Sequence, residues 1–456
     1  MLDSLSQLHL SKTPIIHVEP IQGTHGATGT ALAGTDVIGF SYDIFEARYG
    51  EPGASRERLF DLGPAVDSDG YEKPQFVRKE WHREGEVEVN KGESAKTLST
   101  SFSASAKVEG SYGAFSGSIS ASYDTQSTRT ESSYFIQQRD HYVRYRLKLD
   151  LPGPARAQLL DHARADIDNP GLSPADLFDK YGTHYLGDIL VGARATYSSA
   201  TNSFAFNSSS EISVAAEASY KGLIGKLSGE AKAKYKQAME TFSKNSVIKV
   251  MTRGGDEKYA HKIANGSYDE WIDSIGDNNI VMVGYGETGL TPIWTLAEGA
   301  RAKELADAFP NYAASKPGIA DPDMYPVFGF VETVKGQNNW RFSLEKSAHP
   351  KMRRANPIYL AFKEPRDGTL PVLGKAGPSN TERLMQLEKG SADLELRFHA
   401  YAPNHAGIEP IIEYSHKFGS TTAYYYDTKP SHRGTGPWTV VGNAFGALLV
   451  PEGGYI

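Results

Sequence analysis

Two long stretches of this chain alternate apolar and polar residues. In the first, Leu98, Phe102, Ala104, Ala106, Val108 and Tyr112 occupy even positions, with Ser99, Ser101, Ser103, Ser105, Lys107, Glu109 and Ser111 between them. The phase then inverts, and Phe115, Gly117, Ile119, Ala121 and Tyr123 are odd. Successive side chains on a strand point to opposite faces, so each arm has one apolar and one polar face. The inversion falls at a centre bearing Gly110, Gly113 and Gly117, where a hairpin turn would sit. The second stretch repeats the design. Ile212, Val214, Ala216, Ala218 and Tyr220 are even; beyond Leu223, Ile224 and Gly225 the set moves to Leu227, Gly229, Ala231, Ala233 and Tyr235. Each arm reaches the roughly 9–11 residues of a tilted transmembrane strand. Lys107, Glu109, Lys226, Glu230 and Lys232 all fall on the face that would line water. The same residues also read as helix, since 231–244 is rich in helix formers and poor in β-branched residues. Pattern alone leaves membrane hairpin, half-exposed sheet and helix open.

The rest of the chain supplies the frame. Residues 1–33 are an irregular lead-in. Strands are expected at Asp36–Tyr42, His141–Leu149, Thr183–Tyr197 and Ser246–Thr252. A helix enters through Pro154, and Ser173 followed by Pro174 is an N-cap with proline at the first helical position. Two more helices are expected over 268–275 and 295–309. Residues 34–320 thus form one α+β domain, with the alternating segments at about 94–130 and 203–243. Beyond about 345 the chain is punctuated by proline and glycine between short strands, which predicts a small all-β domain over 345–456.

Composition narrows the function. The 456 residues carry a net charge of -7, so no basic field invites nucleic acid. No run of 18 or more apolar residues exists to form a spanning helix, and the first residues lack the basic-then-apolar order of a Sec signal. The expected product is made as a soluble protein and released by lysis or a dedicated route. Cysteine is absent, which excludes disulfides and thiolate metal sites. Phosphate loops, zinc-helix motifs and nucleophile elbows are missing too. His399, His405, His416 and His432 match no ligand spacing. The expectation is no enzyme, no catalytic residue, no metal and no cofactor.

One motif is more specific. Tyr181, Gly182, Thr183, His184 and Tyr185 are followed after six residues by Gly192-Ala193. This resembles the signature of the membrane attack complex/perforin (MACPF) family, with alanine in place of the second glycine. The run from Gly34 to Asp43 resembles the family's opening strand, and Val250–Asp256, with Gly254 and Gly255, resembles the strand after the second hairpin. The resemblance covers about residues 30–315. It implies a bent, twisted antiparallel sheet flanked by two helical clusters, which unfurl into transmembrane hairpins as subunits assemble into a ring on a target-cell membrane. On that basis Leu98, Phe102, Val108, Tyr112, Phe115, Ile119, Ile212, Val214, Tyr220, Leu223, Ile224 and Leu227 are the membrane-inserting candidates. The signature residues are expected to be structural, with His184 packed in the core.

The resemblance extends to bacterial members, including insecticidal ones from Gram-negative bacteria, which carry a β-rich targeting domain after the pore-forming module. Tyr401, Tyr414, Tyr424, Tyr425, Tyr426 and Trp438 are candidates for a receptor surface toward sugar or lipid headgroups, or else fill a small core. A small aegerolysin-like partner protein is a further possibility that the resemblance implies. The expected function is an insecticidal pore-forming toxin, monomeric before it meets the membrane; the alternative is a non-lytic MACPF protein that binds membranes or glycans.

Overall fold

The computed structural model describes residues 15–18, 31–82, 85–108, 113–130, 132–260, 263, 268–316, 323–334, 337–345, 347–354, 359–375, 383–386, 394–405, 408–418, 421–427 and 439–449. The chain divides into two compact units. The first comprises residues 1–128, 134–201 and 209–320; the second comprises 129–133, 202–208 and 321–456.

The first unit is built on a seven-stranded sheet. Its strands are β1 (Ile15–Val18), β2 (Val77–Trp81), β3 (Gly85–Gly92), β4 (Ser133–Leu149), β5 (Asp188–Asn202), β6 (Ser246–Arg253) and β7 (Val281–Tyr285). They run in the order β1-β6-β5-β4-β2, with β3 also on β4 and β7 also on β5. All the pairings with a stated register are antiparallel except β1 on β6. The two long central strands each change neighbour midway. β4 pairs with β3 over Phe135–Tyr142 and with β2 over Tyr145–Leu149. β5 pairs with β7 over Ile189–Gly192 and with β6 over Arg194–Thr201. The exchange thus falls at the same level in both strands, with Gly192 of β5 against the Tyr142 carbonyl of β4.

Gly192 marks that level. A Cβ there would collide with the Tyr142 carbonyl, so only glycine lets β5 approach β4 so closely. Ala193 beside it is fully buried, and its methyl group fits because Gly254 opposite has no side chain.

Helices cover the sheet. α1 (Ala95–Ser105), α2 (Ser116–Ser122) and α3 (Thr125–Thr128) occupy the first alternating segment; α4 (Pro174–Tyr181) precedes the signature; α5 (Ser209–Leu223) and α6 (Gly229–Asn245) occupy the second; and α7 (Gly299–Ser315) closes the unit. The helical alternative is the one realised in both segments. Ser94 caps α1 with a reciprocal box to Thr97, and Ser228 caps α6 through the Ala231 amide. α1 buries Leu98, Ser99, Phe102 and Ser103, a spacing of three and four residues that serves a helix rather than a strand. Lys107 and Phe115 hold left-handed φ values of 56° and 60°.

One expected strand is shorter than its pattern. Asp36–Tyr42 is strand only at Phe40–Tyr42. Upstream, the Val37 and Ile38 amides both bond the Gly34 carbonyl, closing a turn that buries both side chains. The Ser173 cap is present: its hydroxyl accepts from the Asp176 amide at 3.1 Å, with Pro174 opening α4.

The second unit carries an eight-stranded sheet and a three-stranded one. In the larger, strands 383–386, 369–375, 395–401, 359–362, 439–449, 409–418 and 421–427 lie side by side in that order, with 324–326 on 359–362. Its core gathers Val372, Leu384, Phe398, Ile411, Tyr426 and Phe445 around Tyr359.

Candidate functional site: two helical clusters on opposite faces of one sheet

β4 explains how the clusters are held. From Ser133 to His141 every residue is buried, although Gln137, Gln138, Arg139, Asp140 and His141 are polar. A strand is buried on both faces only when both are covered. Odd residues of β4 face the first cluster, and even ones face the second.

On the first face, Gln137 donates to Ser122 of α2 at 2.7 Å and to Ser198 of β5 at 3.1 Å. The Arg139 guanidinium lies 4.5 Å from the centre of the Phe102 ring in α1 and 3.9 Å from that of Tyr49. It donates to Asn90 of β3 at 2.6 Å and pairs with Glu88 at 3.3 Å. Asn90 in turn donates to the Ser101 and Ser105 hydroxyls of α1. Lys249 of β6 bonds the Ala121 carbonyl, so the face runs across the sheet. Burial alone would raise the Glu88 carboxyl, but Arg139 above all, with His141 and Ser105, outweighs it and holds Glu88 at about 2. Burial pushes the His141 imidazole below its ordinary value, so it stays neutral.

The opposite face centres on Asp140. Its carboxylate accepts from Tyr220 of α5 and from Tyr268, both at 2.7 Å. Burial, reinforced by neighbouring charge, pushes both phenols far above their ordinary range and keeps them donors. Tyr197 of β5 packs edge-on against Tyr220 at 5.5 Å and donates to Ser219 at 3.1 Å. Both clusters therefore rest on hydrogen-bonding side chains of the sheet. Such groups can exchange their partners for water, so this face is not committed to a hydrocarbon cover.

The candidate inserting residues fall into three groups. Leu98, Phe102, Val108, Phe115 and Ile119 in the first segment, and Ile212, Tyr220 and Ile224 in the second, are buried. Leu223 and Leu227 are half-buried, and Val214 is 46% exposed. Tyr112 lies outside the described residues. Arg139 and Asp140, which organise the two faces, are not among the sequence-derived candidates. Their signal is Gln-Gln-Arg-Asp just upstream of His141, a polar run at strand spacing that only a two-sided cover explains.

The MAC/Perforin domain family matches residues 31–318. The chain belongs to the membrane attack complex/perforin family. GNIP1Aa from Chromobacterium piscinae has a similar structure, with a TM-score of 0.59 at 20% identity over 92% of this chain and 91% of that one. A protein with a MAC/Perforin domain from Bacteroides thetaiotaomicron covers 71% of this chain and 70% of its own, at 15% identity and a TM-score of 0.45. No curated protein matches the sequence. The MACPF fold is that of a pore-forming family, and among the described residues no helix is long and apolar enough to cross a membrane.

The signature residues are packed within the first unit. Tyr181 donates to Asp166 at 2.7 Å. Gly182, at φ 73°, lies where a Cβ would strike the Tyr42 carbonyl. His184 is buried between Trp294 and Phe309 with Nδ1 2.9 Å from the Thr183 hydroxyl, and burial pushes it down to about 3. Tyr185 packs on Phe60 at 5.2 Å. Gly254 accepts from the Trp271 indole, and Gly255 lies against the same ring.

Of the aromatic candidates in the MACPF protein's second unit, Tyr414 and Tyr426 are core residues, the latter donating to the Leu384 carbonyl and accepting from its amide. Tyr401 is half-buried and stacks on His405 at 4.5 Å, while Tyr424 is half-buried with Arg383 over its ring at 5.0 Å. Trp438 and the Tyr425 side chain lie outside the described residues.

Proposed function

We propose that this protein is a pore-forming toxin that binds a target membrane, assembles into a ring and converts both helical clusters into transmembrane β-hairpins, with insect cells as the target. The observation that carries this reading is the coincidence of two patterns in the same residues. Segments 98–123 and 212–235 keep strand-period alternation although Ala95–Ser105, Ser116–Ser122, Ser209–Leu223 and Gly229–Asn245 are helices. Packing in the helical state does not ask for that alternation; a strand between lipid and water does. β4 begins shortly after the first segment ends and β5 ends shortly before the second begins, so each sheet-proximal arm extends a strand that already exists. The second unit is the membrane-targeting part, with Tyr401, Tyr424, Tyr425 and Trp438 as its receptor candidates. The insect target rests on the likeness to insecticidal bacterial members that share a β-rich C-terminal domain.

The test uses the absence of cysteine. Single cysteines from Ser99 to Val108 each carry an environment-sensitive dye, and fluorescence is followed on adding vesicles of insect midgut membrane. A rise at the exposed even positions Thr100 and Ala104 and none at the exposed odd positions Ser105 and Lys107 is expected. Bound protein without that alternation overturns the reading.

A further inference from the structure

The second unit contains two short pieces from far upstream, 129–133 and 202–208. Arg129 follows directly on Thr128, the last residue of α3; Ser208 directly precedes Ser209, the first of α5. These pieces are therefore the sheet-proximal ends of the two segments proposed to convert.

They are fastened inside the second unit at several points. Arg129 meets Asp323 with two nitrogens, Nε at 2.9 Å from Oδ1 and Nη2 on Oδ2. Its carbonyl accepts from the Asp323 and Met324 amides, both at 3.0 Å, and Thr130 forms a bridge with Met324. Asp323 is further paired with Arg366 at 3.1 Å. In the other piece, Phe204 packs edge-on against Phe328 at 5.4 Å, and Arg354 lies over Phe328. The Ser203 amide donates to the Ser132 carbonyl at 2.8 Å, which ties the two pieces to each other.

The fastened conformation is incompatible with a longer strand. The Ser133 amide turns back to the Thr130 carbonyl, and Ser203–Ala205 is a 3-10 turn with Asn202 bonding the Phe204 amide. β4 lengthens only upstream of Ser133 and β5 only downstream of Asn202. Both directions run straight into these turns. We propose that 129–133 and 202–208 are a latch, by which the C-terminal unit holds both helical clusters closed until it is released. This rests on the pore-forming reading above and adds its regulation. Because Ser132 and Ser203 are joined, one release frees both segments, although they lie on opposite faces of the sheet.

Two variants test this. In Thr130→Cys/Met324→Cys the bridged positions suit a disulfide, and the native chain offers no competing thiol. With the bond formed, as shown by loss of free thiol, vesicles of insect midgut membrane should be bound but not made leaky, and dithiothreitol should restore leakage. Asp323→Asn should speed leakage, and should raise amide exchange of both 95–105 and 209–223 without any membrane. Each effect should be on the order of fivefold, the counterpart of one weakened charge-assisted pair. Leakage by the oxidised double-cysteine protein at the wild-type rate overturns the latch, as does unchanged exchange in Asp323→Asn. Wild-type protein that inserts no segment overturns the pore-forming reading instead, while the exchange measurement still decides whether the fastening restrains the helices.

Discussion

The two helical clusters share one proposed fate but are held very differently. The first is embedded: Leu98, Phe102, Ala114, Phe115 and Ile119 belong to the main core, together with Tyr42, Tyr49 and Met282. Its serines are enlisted as well, Ser99 donating to the Ala114 carbonyl and Ser116 to that of Phe45. The second is lightly attached. α5 buries one stripe, chiefly alanine, and α6 buries only Phe242 and Asn245 over 17 residues. Burying large side chains stabilises far more than burying alanine, so the clusters differ in holding energy although their sequence patterns match. The lesson is that strand-period alternation speaks to the proposed inserted state, whereas volume and aromatic content report the grip of the resting one. The second cluster should open first.

Removing the grip gives the largest expected effect. Phe102→Ala should cost about 3–5 kcal/mol, since the ring is fully buried between Tyr49 and Arg139. Urea unfolding measures it, and a loss below about 1 kcal/mol would erase the contrast between the clusters.

Next comes a probe that separates the states. Val214 is exposed in α5 but lies on the apolar face of the strand pattern. Val214→Arg should leave soluble stability within about 0.5 kcal/mol. In a lipid-facing position it should cost about 2–4 kcal/mol and reduce vesicle leakage at least about tenfold. Undiminished leakage would mean that this arm does not insert in the proposed register. Ile212, 1% exposed, is unsuited to the same experiment because a charge there would disturb the resting fold.

The smallest effect sharpens the order of opening through pH. The Glu88 carboxyl sits in the network under the first cluster and is held at about 2. A depressed carboxyl stabilises the fold fully above its unfolded value of about 4.3, and loses that contribution as pH falls toward 2. Neutral, buried His141 adds a loss of the same sign as pH falls below about 6.5. Lowering pH from 7 to 3 should therefore weaken the first cluster by on the order of 2 kcal/mol. Exchange of amides 95–105 should accelerate accordingly. In Glu88→Gln this slope should flatten below about pH 4.5; an unchanged slope would place the acid sensitivity elsewhere.

Much of this architecture is legible in the sequence, and what is not has physical reasons. Ser173-Pro174 and the Tyr181–Tyr185 motif are local signals, because capping and close packing act within a few residues. The alternating segments are legible as two-state chain, since their alanine, serine and glycine commit strongly to neither helix nor strand. Asp36–Tyr42 misleads because Val37 and Ile38 are buried through a turn, and burial, not strand geometry, demands their apolar side chains. Arg139 and Asp140 read as surface residues because the rings that cover them, Phe102 and Tyr220, lie 37 and 80 residues away in sequence. The upstream pieces of the second unit are the least legible. Arg129 and Phe204 gain their meaning only from Asp323 and Phe328, and no local pattern anticipates such partners.

Lys107 and Phe115 add a direction to the conversion. Both hold left-handed backbone in the helical state, at a cost of roughly 1–2 kcal/mol per residue for side chains of this kind. Extended strand imposes no such conformation. Each therefore biases the converted state by about one order of magnitude before any lipid contact is made. In the proposed conversion the resting molecule is wound like a ratchet, and these two residues make the return of the first segment the harder step.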